Sequence, residues 1–388
     1  MLFALVLPLV AVTAVALIAL WPDSDVTGPQ GYERPERVTG EIVSVQACSP
    51  GLESVVGPGP TGRCSAATVT LDEAPADSTT FSAGDEVEAP APLGSGAPRV
   101  AVGDDVVLFH AADNLEAVQW SIVDFDRSTP MYLMVLVFAL AVIVLSRWRG
   151  VASLLSLALS LALVIWFVLP NLLAGQSPLI VAIVAASAVM IVTLYLGHGI
   201  RAVTSVALLG TLLSLTLAGV LGALFSGAAR FTGFSNESVS FLSALQGDLD
   251  YEGLILAGLI IGALGVLDDV TVTQAAAVWE LRAADPKASR RRVYAGAMRI
   301  GRSHVTAAVN TLVLAYASSM LPILLLLSLT SSDFTSAFLS DGIGQEVLRA
   351  LVGGLGIIAA VPITTVIAVL VAGGPPEVDA EPAHADQS

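Results

Sequence analysis

Apolar residues in this chain fall into long runs separated by short polar breaks, except in one stretch of about a hundred residues near the N-terminus. A helix crossing the hydrocarbon core of a bilayer needs about 20 mostly apolar residues. Such runs lie at Leu2 to Trp21, Met131 to Leu145, Val151 to Leu173, Pro178 to Leu196, Ala202 to Phe225, Leu254 to Val278, Ser303 to Leu329 and Leu348 to Ala372, and predict about eight transmembrane helices. The exceptional stretch, residues 22–130, instead alternates apolar and polar positions in Arg37-Val-Thr-Gly-Glu-Ile-Val-Ser-Val45, Ala67-Thr-Val-Thr-Leu71 and Asp105-Val-Val-Leu-Phe109, with Gly and Pro between. That period predicts short strands in a small barrel or sandwich, OB-like among the options. The expected fold is an α-helical polytopic membrane protein with a small β-rich extracytoplasmic domain. Its parts are an anchor at 1–21, the β-rich domain at 22–130, a seven-helix domain at 131–372 and a disordered cytoplasmic tail at 373–388.

Composition supports this division. Of 388 residues, 55% are hydrophobic and 13% charged, against about 25% charged in soluble domains, so lipid must cover the excess apolar surface. Residues 22–130 hold 18 acids and five arginines, which is 13 of the 16 net negative charges. That balance marks a solvated domain and excludes a nucleic-acid footprint. The first apolar run lacks a basic flank and a small-x-small cleavage site, so it reads as an uncleaved anchor.

Positive charges orient the spans, because Lys and Arg in short loops stay on the cytoplasmic side. With the N-terminus inside, ten basic residues fall in inner loops: Arg147, Arg149, Arg201, Arg282, Lys287, Arg290, Arg291, Arg292, Arg299 and Arg302. The outer loops after the domain carry Arg230 and Arg349. Both termini are therefore expected in the cytoplasm of a cell-membrane protein. The two cysteines, Cys48 and Cys64, both lie in the outer domain. A bridge between them would stabilise by about 3 kcal/mol in the chain-entropy model; unlinked thiols are the alternative, and the spacing suits no zinc site.

The sixth run carries the chemistry. Leu254 to Leu267 is too short to cross alone, and Asp268-Asp269 follows. A re-entrant segment would export at least seven basic residues, so the helix is expected to continue through Val270 to Trp279 with both acids inside the membrane. Two Asp there cost about 5 to 7 kcal/mol on insertion scales, which argues for partners or a use. Asp269 stands about 16 Å from Glu280, near mid-membrane. Gly258, Gly262, Gly265, Asp269, Thr273, Ala276 and Glu280 recur at spacings of three and four, which predicts a small, polar packing face. Asp268 lies about 100° round the helix, close enough to share a cavity. Asn310, Thr311, Thr364 and Thr365 occur at comparable depth on two other helices and could complete one polar pocket. Pro362 removes a backbone donor, and Gly353, Gly356, Ala360 and Thr364 form a second small stripe.

Neighbouring carboxylates in low dielectric cannot both ionise cheaply, so the pair can load and release a proton in coupled steps. A sodium site built of Asp, Asn and Thr oxygens fits the same residue types. The alternative is hydrogen-bonded polar glue between helices. The basic segment Lys287 to His304 is expected as an inner loop that either lies on the anionic surface or only sets topology. His110, His198 and His304 lack metal-ligand spacing, and no phosphate loop, HExxH or GxSxG occurs. No catalytic residue, metal or cofactor is expected, and an intramembrane aspartyl protease would need Asp on two helices.

The segments Gly262-Ala-Leu-Gly-Val-Leu-Asp-Asp-Val-Thr-Val-Thr-Gln-Ala-Ala-Ala-Val-Trp-Glu-Leu281, Gly296-Ala-Met-Arg-Ile-Gly-Arg302 and Asn310-Thr-Leu-Val-Leu-Ala-Tyr316 resemble the YibE/F family of bacterial membrane proteins. That resemblance implies a polytopic cell-membrane protein and no defined activity. More distantly, Gly265-Val-Leu-Asp268-Asp269-Val-Thr-Val is similar in order and direction to a motif of resistance-nodulation-division transporters and SecD/SecF proteins. This likeness would assign a proton relay to Asp268 and Asp269, although no Lys lies in any span and eight helices do not match a six-helix unit. Two functions follow as expectations. One is a proton- or cation-coupled transporter or export accessory; the other is a non-transporting envelope scaffold that binds other envelope proteins through residues 22–130. Homo-oligomerisation is compatible with both.

Overall fold

A computed structural model describes residues 2–22, 36–48, 65–76, 80–91, 99–111, 119–234, 237–245, 249–329, 335 and 339–372. The chain forms two compact units, one of residues 30–141 and one of residues 1–29 with 142–388. Cys64 and the tail 373–388 lie outside the described residues. So, therefore, do the expected Cys48–Cys64 bridge and the expected disorder of the tail.

The first unit is a curled antiparallel sheet of β1 (Glu36–Ala47), β2 (Ser65–Leu71), β3 (Glu86–Pro90), β4 (Asp105–His110) and β5 (Trp120–Phe125), in the order β3-β2-β1-β4-β5. The edge strands β3 and β5 also contact each other. The alternation predicted β1, β2 and β4; β3 and β5 are short and were not predicted. One side of each strand turns inward, placing Val38, Ile42, Val69, Val106, Leu108 and Trp120 in one core. Gly40 allows the sheet to close. It pairs with Leu71 on one side and Val106 on the other, and a Cβ there would run into the backbone of Thr70.

The other unit is helical: α1 (Leu2–Ala19), α2 (Ser128–Ser146, which begins in the first unit), α3 (Trp148–Leu163), a π-helical turn (Val164–Val168), α4 (Leu169–Leu173), α5 (Pro178–His198), α6 (Ala202–Ala229), α7 (Glu237–Leu245), α8 (Tyr251–Ala284), α9 (Arg290–Ser319), α10 (Leu321–Leu329) and α11 (Asp341–Val371). Six helices among the described residues are long and apolar enough to cross a membrane: Ser128–Ser146, Trp148–Leu173, Pro178–His198, Ala202–Ala229, Tyr251–Ala284 and Asp341–Val371. The π turn falls just before Pro170, whose missing N–H cannot continue the α-helical ladder; the Leu169 N–H bonds to Val164 O instead.

Three expectations need correction. The run Ser303 to Leu329 is not one helix, because α9 ends at Ser319 and a separate α10 begins at Leu321, next to Pro322. The expected inner loop 287–304 is mostly the first half of α9, capped by the Ser289 hydroxyl on the Arg292 N–H; five arginines ride on that helix. Arg349, expected in an outer loop, lies inside α11, which starts at Asp341 rather than Leu348.

The core of the helical unit forms where α6, α8 and α11 pack together, with α5 and α9 against them. Buried Leu208, Leu215, Ile260, Leu267, Ile357 and Val361 fill it. The second predicted stripe is what lets α11 approach: Gly353, Gly356, Ala360 and Thr364 are all buried. A Cβ on Gly356 would touch Ala218 at 3.4 Å and Leu267 at 3.6 Å.

Candidate functional site

α8 positions the acidic pair. Its first turn is capped by Asp250, whose carboxylate accepts the Gly253 N–H at 2.8 Å, and the helix runs unbroken for 34 residues. Its buried face is Ile255, Leu259, Ala263, Leu267, Val270, Gln274 and Val278. The predicted packing stripe lies on the opposite side: Gly258, Gly262, Gly265, Asp269, Thr273 and Glu280 are exposed. Gly258 and Gly262 nonetheless face side chains of α11 and α9, while the space at Gly265 is open. The bulky apolar side of α8 is the one buried against α6 and α11.

Asp268 and Asp269 face different surroundings. Asp268 lines a groove of about 390 Å³ between α3, α5 and α8, together with Ser153, Ser156, Ser160, Thr193 and His198. Its Oδ1 is buried and has no hydrogen-bond partner among the described residues. Asp269 does not line that groove. Its Oδ2 lies 3.7 Å from Nε2 of His304 on α9, the two side chains being 72% and 38% exposed.

Further along the stripe stands a second ionic pair. Arg349 donates to Glu346 Oε1 at 2.6 Å, both side chains being about one quarter exposed. The Arg349 Nη2 would lie 3.6 Å from a Cβ on Gly258, and the Tyr316 hydroxyl 3.2 Å from one on Gly262. The glycines of α8 thus leave room for long polar side chains from α9 and α11. A row of Glu346, Arg349, Tyr316, His304 and Asp269 follows one side of the helix.

The other predicted site residues separate. Thr273 is exposed and bonds its own helix at Asp269 O, 2.7 Å away. Asn310 and Thr311 are exposed on α9, and the Thr311 hydroxyl is spent on Ala307 O. Thr364 is fully buried, its hydroxyl without a partner among the described residues, in the space that Gly210 leaves on α6. The single pocket expected from these residues is not formed: Asn310 and Thr311 turn outward while Thr364 turns into the core.

A buried polar network of different residues joins the helices. Thr211 and Thr271 share a hydrogen bond of 2.6 Å between α6 and α8. Gln274 donates to Ala297 O at 3.0 Å and to Thr365 Oγ1 at 2.7 Å, tying α8 to α9 and α11. Gly301 brings α9 close enough for this contact, since a Cβ there would meet Gln274 Oε1 at 2.7 Å. The sequence reading gave no site role to Thr211, Thr271, Gln274, His304, Arg349 or the groove serines. Only the serines left a trace, at 153, 156 and 160 on one helical face.

Residues 134–374, which hold both sides of α8 and all its helical partners, match the model of the family described as YibE/F-like protein. The chain belongs to the YibE/F-like family. The matched span begins within α2 and ends just past α11, so this family is defined by the helical unit and not by the sheet. No curated protein and no solved structure matches the chain.

Proposed function

We propose that this YibE/F-like protein is a proton- or cation-coupled transporter, or an energy-coupled export accessory, with Asp268 and Asp269 as its coupling site. The observation that carries the reading is the state of Asp268: its carboxylate lines a groove, and the buried Oδ1 has no hydrogen-bond partner among the described residues. A carboxylate kept as glue spends its oxygens on neighbouring helices, since a buried unpaired acceptor costs about 1 to 3 kcal/mol or more. Here Thr211, Thr271, Gln274 and Thr365 already supply that glue. The positive-inside count supports a cell-membrane orientation with both termini cytoplasmic and the sheet unit outside. The strand order, with β3 and β5 in contact, supports an OB-like barrel for that unit.

The second reading is a non-transporting envelope scaffold. It draws on the exposed Gly265, where the missing side chain leaves open space that a partner helix could fill. Reconstitution into liposomes with a lumenal pH dye separates the two. Under an imposed proton or sodium gradient, wild type should move ions, and Asp268→Asn or Asp269→Asn should abolish the flux with folding intact. Wild-type protein that moves no ion, with mutants that lose only thermal stability, would favour the scaffold.

A further inference from the structure

Resting on that coupling reading, we infer that Asp268 exchanges protons, rather than a metal cation, with the cytoplasmic aqueous phase along the groove between α3, α5 and α8. The route is continuous in its lining. The Asp268 groove reaches Gly197 and His198 at the end of α5. Those same two residues line a second, more polar pocket with Ser146, Arg149, Gly199 and Arg201. Asp268 is therefore linked by adjoining cavities to the basic helix ends that the charge count assigns to the cytoplasm.

The chemistry of the lining favours a proton. Ser156, Ser160 and Thr193 donate their hydroxyl hydrogens to their own helices, at Ala152 O, Ser156 O and Val189 O. Each such oxygen keeps acceptor capacity, so these groups can hold water in a groove whose other lining is apolar. Ser153 and Ser160, seven residues apart, span about 10 Å along α3. At the mouth stand two guanidinium groups beside the imidazole of His198, a side chain that can take up and release a proton. In each cycle one proton leaves the aqueous phase and binds the Asp268 carboxylate, which becomes neutral. The ion is stripped of its charge where the membrane is least tolerant of it. A sodium ion would need several oxygen ligands at one point, whereas these oxygens are strung along a path.

The test uses full-length protein in oriented liposomes. Ser153→Cys, Ser160→Cys and the control Leu159→Cys, outside the groove lining, are treated from either side with a charged, membrane-impermeant methanethiosulfonate. Peptide mass spectrometry reads the modified site. We expect Ser153→Cys and Ser160→Cys to react from the side of Arg149 and Arg201, many-fold faster than Leu159→Cys. Modification at Ser160→Cys should remove most of a flux that follows a proton gradient and ignores a sodium gradient. If Asp268→Asn abolishes flux while the groove cysteines stay unreactive from that side, or react without effect on flux, the route is wrong and the coupling reading stands. Flux that follows sodium overturns the choice of ion. Wild-type protein that carries no ion overturns the coupling reading itself, and the route with it.

Discussion

His304 on α9 sets its Nε2 3.7 Å from Oδ2 of Asp269 on α8. The chain has no lysine in any apolar run to pair with Asp268 and Asp269; His304 and, further along the same side, Arg349 are the basic side chains that stand beside α8.

Replacing His304 by Gln keeps a polar group of similar length and removes the imidazole. With both partners this exposed, the contact is worth at most about 1 kcal/mol of stability. A double-mutant cycle of His304→Gln and Asp269→Asn, read by thermal unfolding in detergent, should give a coupling no larger than that. The same variants in the liposome assay should lose most of the ion flux. A large stability loss with flux retained would show a structural pair.

Gly210 and Thr364 test the close approach of α6 and α11. A methyl on Gly210 would collide with the Thr364 hydroxyl and crowd its Cγ2. Gly210→Ala should therefore cost about 1 to 3 kcal/mol from overpacking. Adding Thr364→Ala removes the colliding hydroxyl, which has no partner among the described residues, together with Cγ2, so the double variant should unfold at a higher temperature than Gly210→Ala alone.

Gln274 joins three helices through one amide. Gln274→Leu forfeits the hydrogen bonds to Ala297 O and Thr365 Oγ1. A loss of about 2 kcal/mol is expected. Gln274→Glu, with no N–H to donate, should be at least as damaging. A melting temperature unchanged in both variants would refute the network's role.

In the sheet unit, Trp120 stacks on His110 at a ring distance of 4.6 Å and meets Phe81 edge-on at 5.2 Å. Trp120→Ala should cost about 3 to 5 kcal/mol. Trp120→Phe keeps much of the apolar contact and removes an indole N–H that has no partner, so it should cost far less. Limited proteolysis of the full-length protein, scored for cuts within 36–125, distinguishes the two.

The sequence by itself determined that long apolar helices exist, where most of them begin and end, and that a strand-rich acidic unit interrupts them. Hydrocarbon thickness imposes a minimum run of about 20 apolar residues, and the period of two marks strands whatever their neighbours. The sequence also brought Asp268 and Asp269 to attention, because charge inside an apolar run has few explanations. Only the tertiary structure decided which side of α8 is inside. In water a helix buries its apolar face, and the pattern shows it. In lipid the surroundings are as apolar as the core, so glycine spacing pointed to Gly258, Gly262 and Gly265 while the fold buried Leu259, Leu267 and Val270. The same absence of a local signal hid the partners. His304, Gln274 and the serines of α3 acquire meaning only from helices that pack beside them, and those neighbours are set by shape complementarity across the bundle.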